Sequence, residues 1–329
     1  MTADKKKKNK KLKRRVLNIF IILCFVAAAV LLYQGLMTKL DEKRSRETYS
    51  EFEDLYVQGI ALSGDSTPDP LITNLPDPTP VPSESPVPTS EPSETPEPTA
   101  SPSVEPSPSP EPTGQPEPTD TPDPGDEIPQ RTPLDRNDVL GSFHALLDAN
   151  EDIRGYIKMV DSTIAYPVVQ GIDNKFYLER NIYGEKTISA SIFMDYRNNV
   201  DILDDNTIIY GHNLNSTMFN DLDFFVDEET RDEFYEKNRI FRFDTVYKYM
   251  QWEVFSAYVV DKDDFNYLIT NFTSEAAHLA FINETLELSF VDYGIDVTTG
   301  DRILTLSTCN HWYNDSRTVV HARLITPYP

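Results

Sequence analysis

The C-terminal 195 or so residues predict a mostly β fold with a few helices, a barrel or sandwich of mainly antiparallel strands. Three observations predict it. About eight short runs rich in apolar, β-branched and aromatic residues occur between residue 135 and residue 329. Helical periodicity is confined to a few segments, so the strand–helix–strand alternation of a parallel sheet is missing. The segments before residue 135 differ sharply in chemistry, which leaves this part as the one stretch composed like a globular domain.

Taken in order, residues 1–15, "MTADKKKKNKKLKRR", hold nine Lys or Arg and one Asp. Residues 16–37, "VLNIFIILCFVAAAVLLYQGLM", are apolar and uncharged, about the ~20 residues a helix needs to cross a bilayer. A signal peptide has a shorter apolar core and a small-residue cleavage site, so the run reads as a transmembrane signal anchor. The basic tail before it is expected to stay in the cytoplasm, placing the rest of the chain outside. The chain carries −24 overall and its first 15 residues +8, so the remainder carries −32. A nucleic-acid partner is excluded for so acidic a part, since phosphate contacts need a basic surface.

Residues 38–64 are polar and mixed, a short juxtamembrane segment that could form a helix. From 65 to 134 nearly every residue is Pro, Ser, Thr, Glu or Asp, and 22 of the chain's 25 prolines fall between Pro68 and Pro133. Such a composition cannot bury enough apolar surface to fold. The expectation is a disordered stalk, biased to polyproline II and reaching on the order of 200 Å at full extension.

In the remaining part, "NDVLGSFHALLDAN" (137–150) has a helical apolar face. Strand-like runs follow: "GYIKM", "TIAYPVVQ", "ASIFMDY", "NTIIYGH", "RIFRFD", "KYMQWEVFSAYVV", "RILTLSTC" and "TVVHARLI". Between the sixth and seventh, "TSEAAHLAFINETLEL" (273–288) opens on a Ser or Thr cap, carries Glu275 in its first turn, and repeats at helical period.

The chemistry centres on Cys309, at the end of the seventh run. The other cysteine, Cys24, lies in the apolar run, so the two are not expected to pair. Cys309 is then an intermolecular partner, a reactive thiol or a buried inert one. A cysteine nucleophile needs an imidazole or a cation beside it and a group for the oxyanion. Of five histidines, His144 and His278 sit in helical patterns and read as surface or packing residues. His321 lies inside a strand. His212 leaves a strand in "YGHN", where catalytic groups often sit, and is preferred to His311, two residues past Cys309. Arg317 opens the last strand, where its fork suits an oxyanion or carbonyl; an edge pair with Asp315 is the plain alternative. No Cys-x-x-Cys, His-Glu-x-x-His or EF-hand pattern occurs, so no metal site is expected, and no glycine-rich phosphate loop is present.

"TLSTC", then Arg317 eight residues on in "SRTVVHARL", together with "IIYGHN", resembles the signature of the sortases of Gram-positive bacteria, class B in particular. "IAYPVVQGIDNKFYL", "ASIFMDYRNN" and "YGHNLNSTMFNDL" extend the resemblance over nearly all of 137–327. It implies an eight-stranded sortase-type β-barrel and a cysteine transpeptidase without a cofactor. Cys309 would attack a sorting signal after Thr, His212 would act as general acid and then base, and Arg317 would hold the oxyanion or the substrate carbonyl. Asn174, Leu178 and Ser307 match substrate-contacting positions, and His311 and His321 revert to structural roles. Asn310 departs from an acidic residue that some class B members carry there. The implied partners are surface proteins with an LPxTG-like or NPxTN-like signal and an amine of the peptidoglycan cross-bridge. A pilin polymerase using a lysine acceptor, and a non-catalytic binding module on a stalk, are the competing readings.

Overall fold

The computed structural model describes residues 3–63, 134–214, 217–261, 264–309 and 316–327, and for residues 3–15, 309, 326 and 327 the backbone alone. Helix α1 (Ala3–Ser63) comes first, and α2 (His144–Ala149) follows a 3-10 turn at Gly141–Phe143. Strands β1 (Ile153–Lys158), β2 (Ala165–Val169), β3 (Phe193–Met194) and β4 (Asn206–Gly211) follow. A small hairpin of β5 (Asn213–Leu214) and β6 (Thr217–Met218) leads through a 3-10 turn, Asn220–Phe225, to α3 (Arg231–Asn238). Then come β7 (Ile240–Thr245), β8 (Met250–Asp261), α4 (Glu275–Leu288), β9 (Ile303–Cys309) and β10 (Ser316–Pro327).

Eight of these strands close into one barrel in the order β1-β2-β3-β4-β9-β10-β8-β7. Each of the eight strand-like runs supplies one. Most neighbours are antiparallel, but β2 with β3 and β4 with β9 run parallel. The period-two alternation of strand side chains divides the apolar residues between two layers. In β9 and β10, Leu304, Leu306, Val320 and Ala322 join Trp252 and Val254 in the main core cluster. Ile303 and Val319 pack instead with Phe255, Tyr258, Phe281 and Ile282 in a second layer containing residues of α4. That helix starts where Ser274 Oγ accepts a hydrogen bond from the Ala277 N–H at 3.1 Å, the N-cap expected near residue 274.

The apolar run and the segment expected to be juxtamembrane are one continuous helix. Among the described residues, α1 alone is long and apolar enough to cross a membrane, and the rest of the protein leaves its apolar window bare. Past that run the same helix docks on the domain. Tyr49, Phe52 and Tyr56 are buried, spaced three and four apart so that they share a face. The Tyr49 hydroxyl donates to the Ala190 carbonyl at 2.9 Å, and Asp41 accepts from the N–H and hydroxyl of Ser189. The Tyr56 hydroxyl donates to Asp244, which also receives Arg242 and the Met250 N–H. Gly59 lies so close to Ser142 that a Cβ would come within 2.7 Å of its Cα. The sequence stretch expected to be a stalk lies outside the described residues. The helical residues before it and the turn after it are adjacent, with Ser63 against Gly141. The spacing between domain and apolar run is therefore set by α1.

Candidate active site

Three neighbouring strands deliver the candidate groups to one end of the barrel. In the parallel β4–β9 ladder, Gly211 pairs with Thr308, so the next residue, His212, leaves β4 level with Cys309. In the antiparallel β9–β10 ladder, Arg317 pairs with Cys309 directly. Residues separated by 97 and by 8 positions in sequence thus converge on the last residue of β9.

Gly211 is where this convergence demands glycine. A Cβ there would stand 2.4 Å from Ile192 Cδ1 and 2.7 Å from Phe219 Cγ. Phe219 in turn donates its N–H to the His212 carbonyl at 2.9 Å. The His212 ring is held by its Nε2, which lies 2.8 Å from the Leu178 carbonyl. A carbonyl only accepts, so Nε2 carries the hydrogen of this contact. Arg317 is half-buried at the mouth of β10, with one guanidinium nitrogen donating to the Ser316 carbonyl at 3.0 Å.

The residues assigned to substrate contact lie around this point. Leu178 is exposed and contributes its carbonyl to His212. Asn174, four residues earlier in the same turn, donates to Asp195 and accepts from the Tyr196 N–H. Ser307, two residues before Cys309, is buried with its hydroxyl 2.9 Å from that of Tyr267. His311, Asn310 and Asp315 fall outside the described residues.

The other histidines have separate explanations. His321 is fully buried, with Nε2 on the Tyr258 hydroxyl at 2.8 Å and Nδ1 on the Thr305 hydroxyl at 2.9 Å. Burial pushes its pKa down to about 3, so it is neutral at working pH. His278 stacks on Phe272 at 4.2 Å and burial lowers its pKa as well. Both are structural, as their places in the sequence indicate.

Sequence reasoning missed Asp223. Its carboxylate accepts from Thr318 Oγ1 at 2.5 Å and Asn213 Nδ2 at 2.7 Å. Those residues directly follow Arg317 and His212, so one side chain ties the start of β10 to β5, the segment that follows His212. "DLDFF" carries no local signal for such a contact. A cavity of about 480 Å³ opens elsewhere, between α1 and the β1–β2 hairpin; its lining, with Arg46, Glu53, Lys158 and Tyr166, shares no residue with this site.

A histidine, a cysteine and an arginine on adjacent strands at the end of a closed eight-stranded barrel match a known family. The sortase domain model matches residues 157–325. The chain belongs to the sortase family. Sortase B of Staphylococcus aureus is 40% identical over 186 residues, 56% of this chain and 74% of that protein. Sortase B of Listeria monocytogenes is 33% identical over 192 residues, 57% of this chain and 76% of its own. Among solved structures, a Staphylococcus aureus sortase B–substrate complex is 39% identical with a TM-score of 0.53, covering 57% of this chain and 86% of that one. Clostridium perfringens sortase B is 37% identical with a TM-score of 0.51, covering 55% and 98%. This sortase is of the B type and a cysteine transpeptidase, and the barrel expected from the resemblance is the one observed.

Proposed function

We propose that this sortase cleaves a C-terminal sorting signal of surface proteins after Thr and transfers the acyl group to an amine of cell-wall peptidoglycan. Cys309 is the nucleophile, His212 the general acid and base, and Arg317 the oxyanion or carbonyl ligand. The carrying observation is the strand register: His212 leaves β4 level with Cys309 while Arg317 faces Cys309 across the next ladder. A sortase B solved as a substrate complex supports the peptide as ligand class.

In the reaction, the Cys309 sulfur, as thiolate, adds to the Thr carbonyl carbon. The oxyanion formed is held by the Arg317 guanidinium, whose planar fork of N–H donors suits it. Collapse breaks the C–N bond, and the leaving amine takes a proton from the His212 imidazolium. The incoming amine attacks the thioester, gives a proton to the imidazole, and expels the thiolate, so both groups end as they began. Asn174, Leu178 and Ser307 border the peptide site, with an LPxTG-like or NPxTN-like signal as substrate. The apolar part of α1 spans the membrane with its basic end in the cytoplasm, so the barrel faces the wall.

The test uses the full chain in detergent with a panel of sorting-signal peptides and acceptor amines, products being read by mass spectrometry. Cleavage after Thr with transfer to a cross-bridge amine is expected, and His212→Ala or Arg317→Ala should reduce it at least a hundredfold. Transfer to a pilin lysine alone would make the enzyme a pilus polymerase instead.

A further inference from the structure

One buried carboxylate outside the three catalytic groups is connected to several site segments. Asp195, just past β3, is wholly inaccessible to solvent. Its Oδ1 accepts from the Arg197 N–H at 3.0 Å and Arg197 Nε at 2.8 Å. Its Oδ2 accepts from Arg197 Nη2 at 2.8 Å, the Tyr210 hydroxyl at 2.8 Å and Asn174 Nδ2 at 3.0 Å. Burial would raise this carboxyl's pKa, but the hydrogen bonds and charge of Arg197, with the Tyr210 hydroxyl, outweigh it and hold the group below the usual range.

These partners lead back to the site. Tyr210 stands two residues before His212 in β4. Asn174 begins the turn whose Leu178 carbonyl receives the His212 ring. Arg197 Nη2 also donates to the Leu268 carbonyl at 3.1 Å, and neighbouring Tyr267 bonds Ser307, two residues before Cys309. Arg197 itself reaches solvent, so Asp195 is the one wholly buried charge of the pair, and an apolar side chain in its place would avoid desolvating a carboxylate if packing were the sole requirement.

We propose that Asp195 and Arg197 are a positioning pair, fixing the 173–178 turn, β4 and the 264–272 loop around the His212 ring and the end of β9. Neither residue touches the reacting atoms. The proposal rests on the reading of His212 as general acid and base. An error of about 1 Å in placing a catalytic group costs about a hundredfold in rate, so releasing the turn and β4 together acts mainly on kcat.

The test compares the full chain in detergent, labelled with 15N-histidine, with Asp195→Asn and Tyr210→Phe. In Asp195→Asn, kcat should fall about 10- to 100-fold with a smaller rise in KM. The His212 ring resonance should move or broaden while the His321 ring resonances stay in place, reporting an intact barrel. Wild-type kcat and an unmoved His212 resonance in a folded Asp195→Asn would overturn the proposal. Should the His321 resonances be lost, that variant has not folded and Tyr210→Phe decides. A several-fold fall in kcat with a shifted His212 resonance then supports the pair, and unchanged values overturn it. If the wild type acylates no sorting peptide, it is the function that has failed, and the His212 resonance alone supports or overturns the positioning.

Discussion

His321 and Asp223 show how single residues hold this barrel and its site. Burial holds the His321 pKa at about 3, whereas the unfolded chain titrates near the usual 6.5. Between those values the unfolded state binds a proton that the folded state refuses, so stability falls as pH drops from 6.5 towards 3. The slope is at most about 1.4 kcal/mol per pH unit from this group. Replacing it in His321→Gln should flatten the dependence of the urea midpoint on pH between 6 and 4; an unchanged slope would assign the acid sensitivity to other groups. Asp223 acts at the site. Asp223→Ala removes the hydrogen bonds from Asn213 and Thr318 to its carboxylate, about 1.5–3 kcal/mol each before relaxation. Both flank residues proposed as catalytic, so kcat/KM should drop about tenfold or more together with the melting temperature.

At the scale of elements, local pattern and long-range packing separate cleanly. The eight barrel strands were legible because β-branched and aromatic runs of five to thirteen residues are long enough to show their period. Helix α4 announced its own start through Ser274. The β5–β6 hairpin, with two residues per strand, is too short for any period, and α3, "RDEFYEKN", is almost wholly polar. The docked face of α1 was hidden in mixed composition, although Tyr49, Phe52 and Tyr56 at helical spacing were the signal that could have exposed it. The proposed catalytic positions could be picked out because they lie in local motifs. Asp195 and Asp223 could not, because apart from the neighbouring Arg197 their partners lie 10 to 95 residues away. Docking of α1 rests on those aromatics rather than on the exposed Glu53–Lys158 pair, since a surface ion pair contributes about 0–1 kcal/mol and a buried aromatic about 1.5–3. Phe52→Ala should therefore destabilise the domain by about 3–5 kcal/mol in a denaturant titration, and Glu53→Gln by less than about 1.

For the whole molecule, the docked helix decides where the barrel sits. Asp41, four residues beyond the apolar run, already bonds Ser189, and at 1.5 Å per residue the domain begins within about 10 Å of that run. Because Ser63 meets Gly141, excising residues 64–133 and closing the gap with a short Gly/Ser linker should leave thermal stability and peptide turnover unchanged. A domain beginning at residue 134 should instead melt lower than one beginning at residue 38, for want of the aromatic face of α1.

Acyl transfer through the sulfur of Cys309, at the end of β9, is the step on which the proposed function rests. Its most direct measurement is the intact mass of the full chain after brief exposure to a sorting-signal peptide, with the adduct mapped by proteolysis and challenged with hydroxylamine. An acyl adduct on Cys309, released by hydroxylamine and absent from Cys309→Ala, is the predicted result. Peptide cleavage that persists in Cys309→Ala, with no adduct on the wild type, would contradict it.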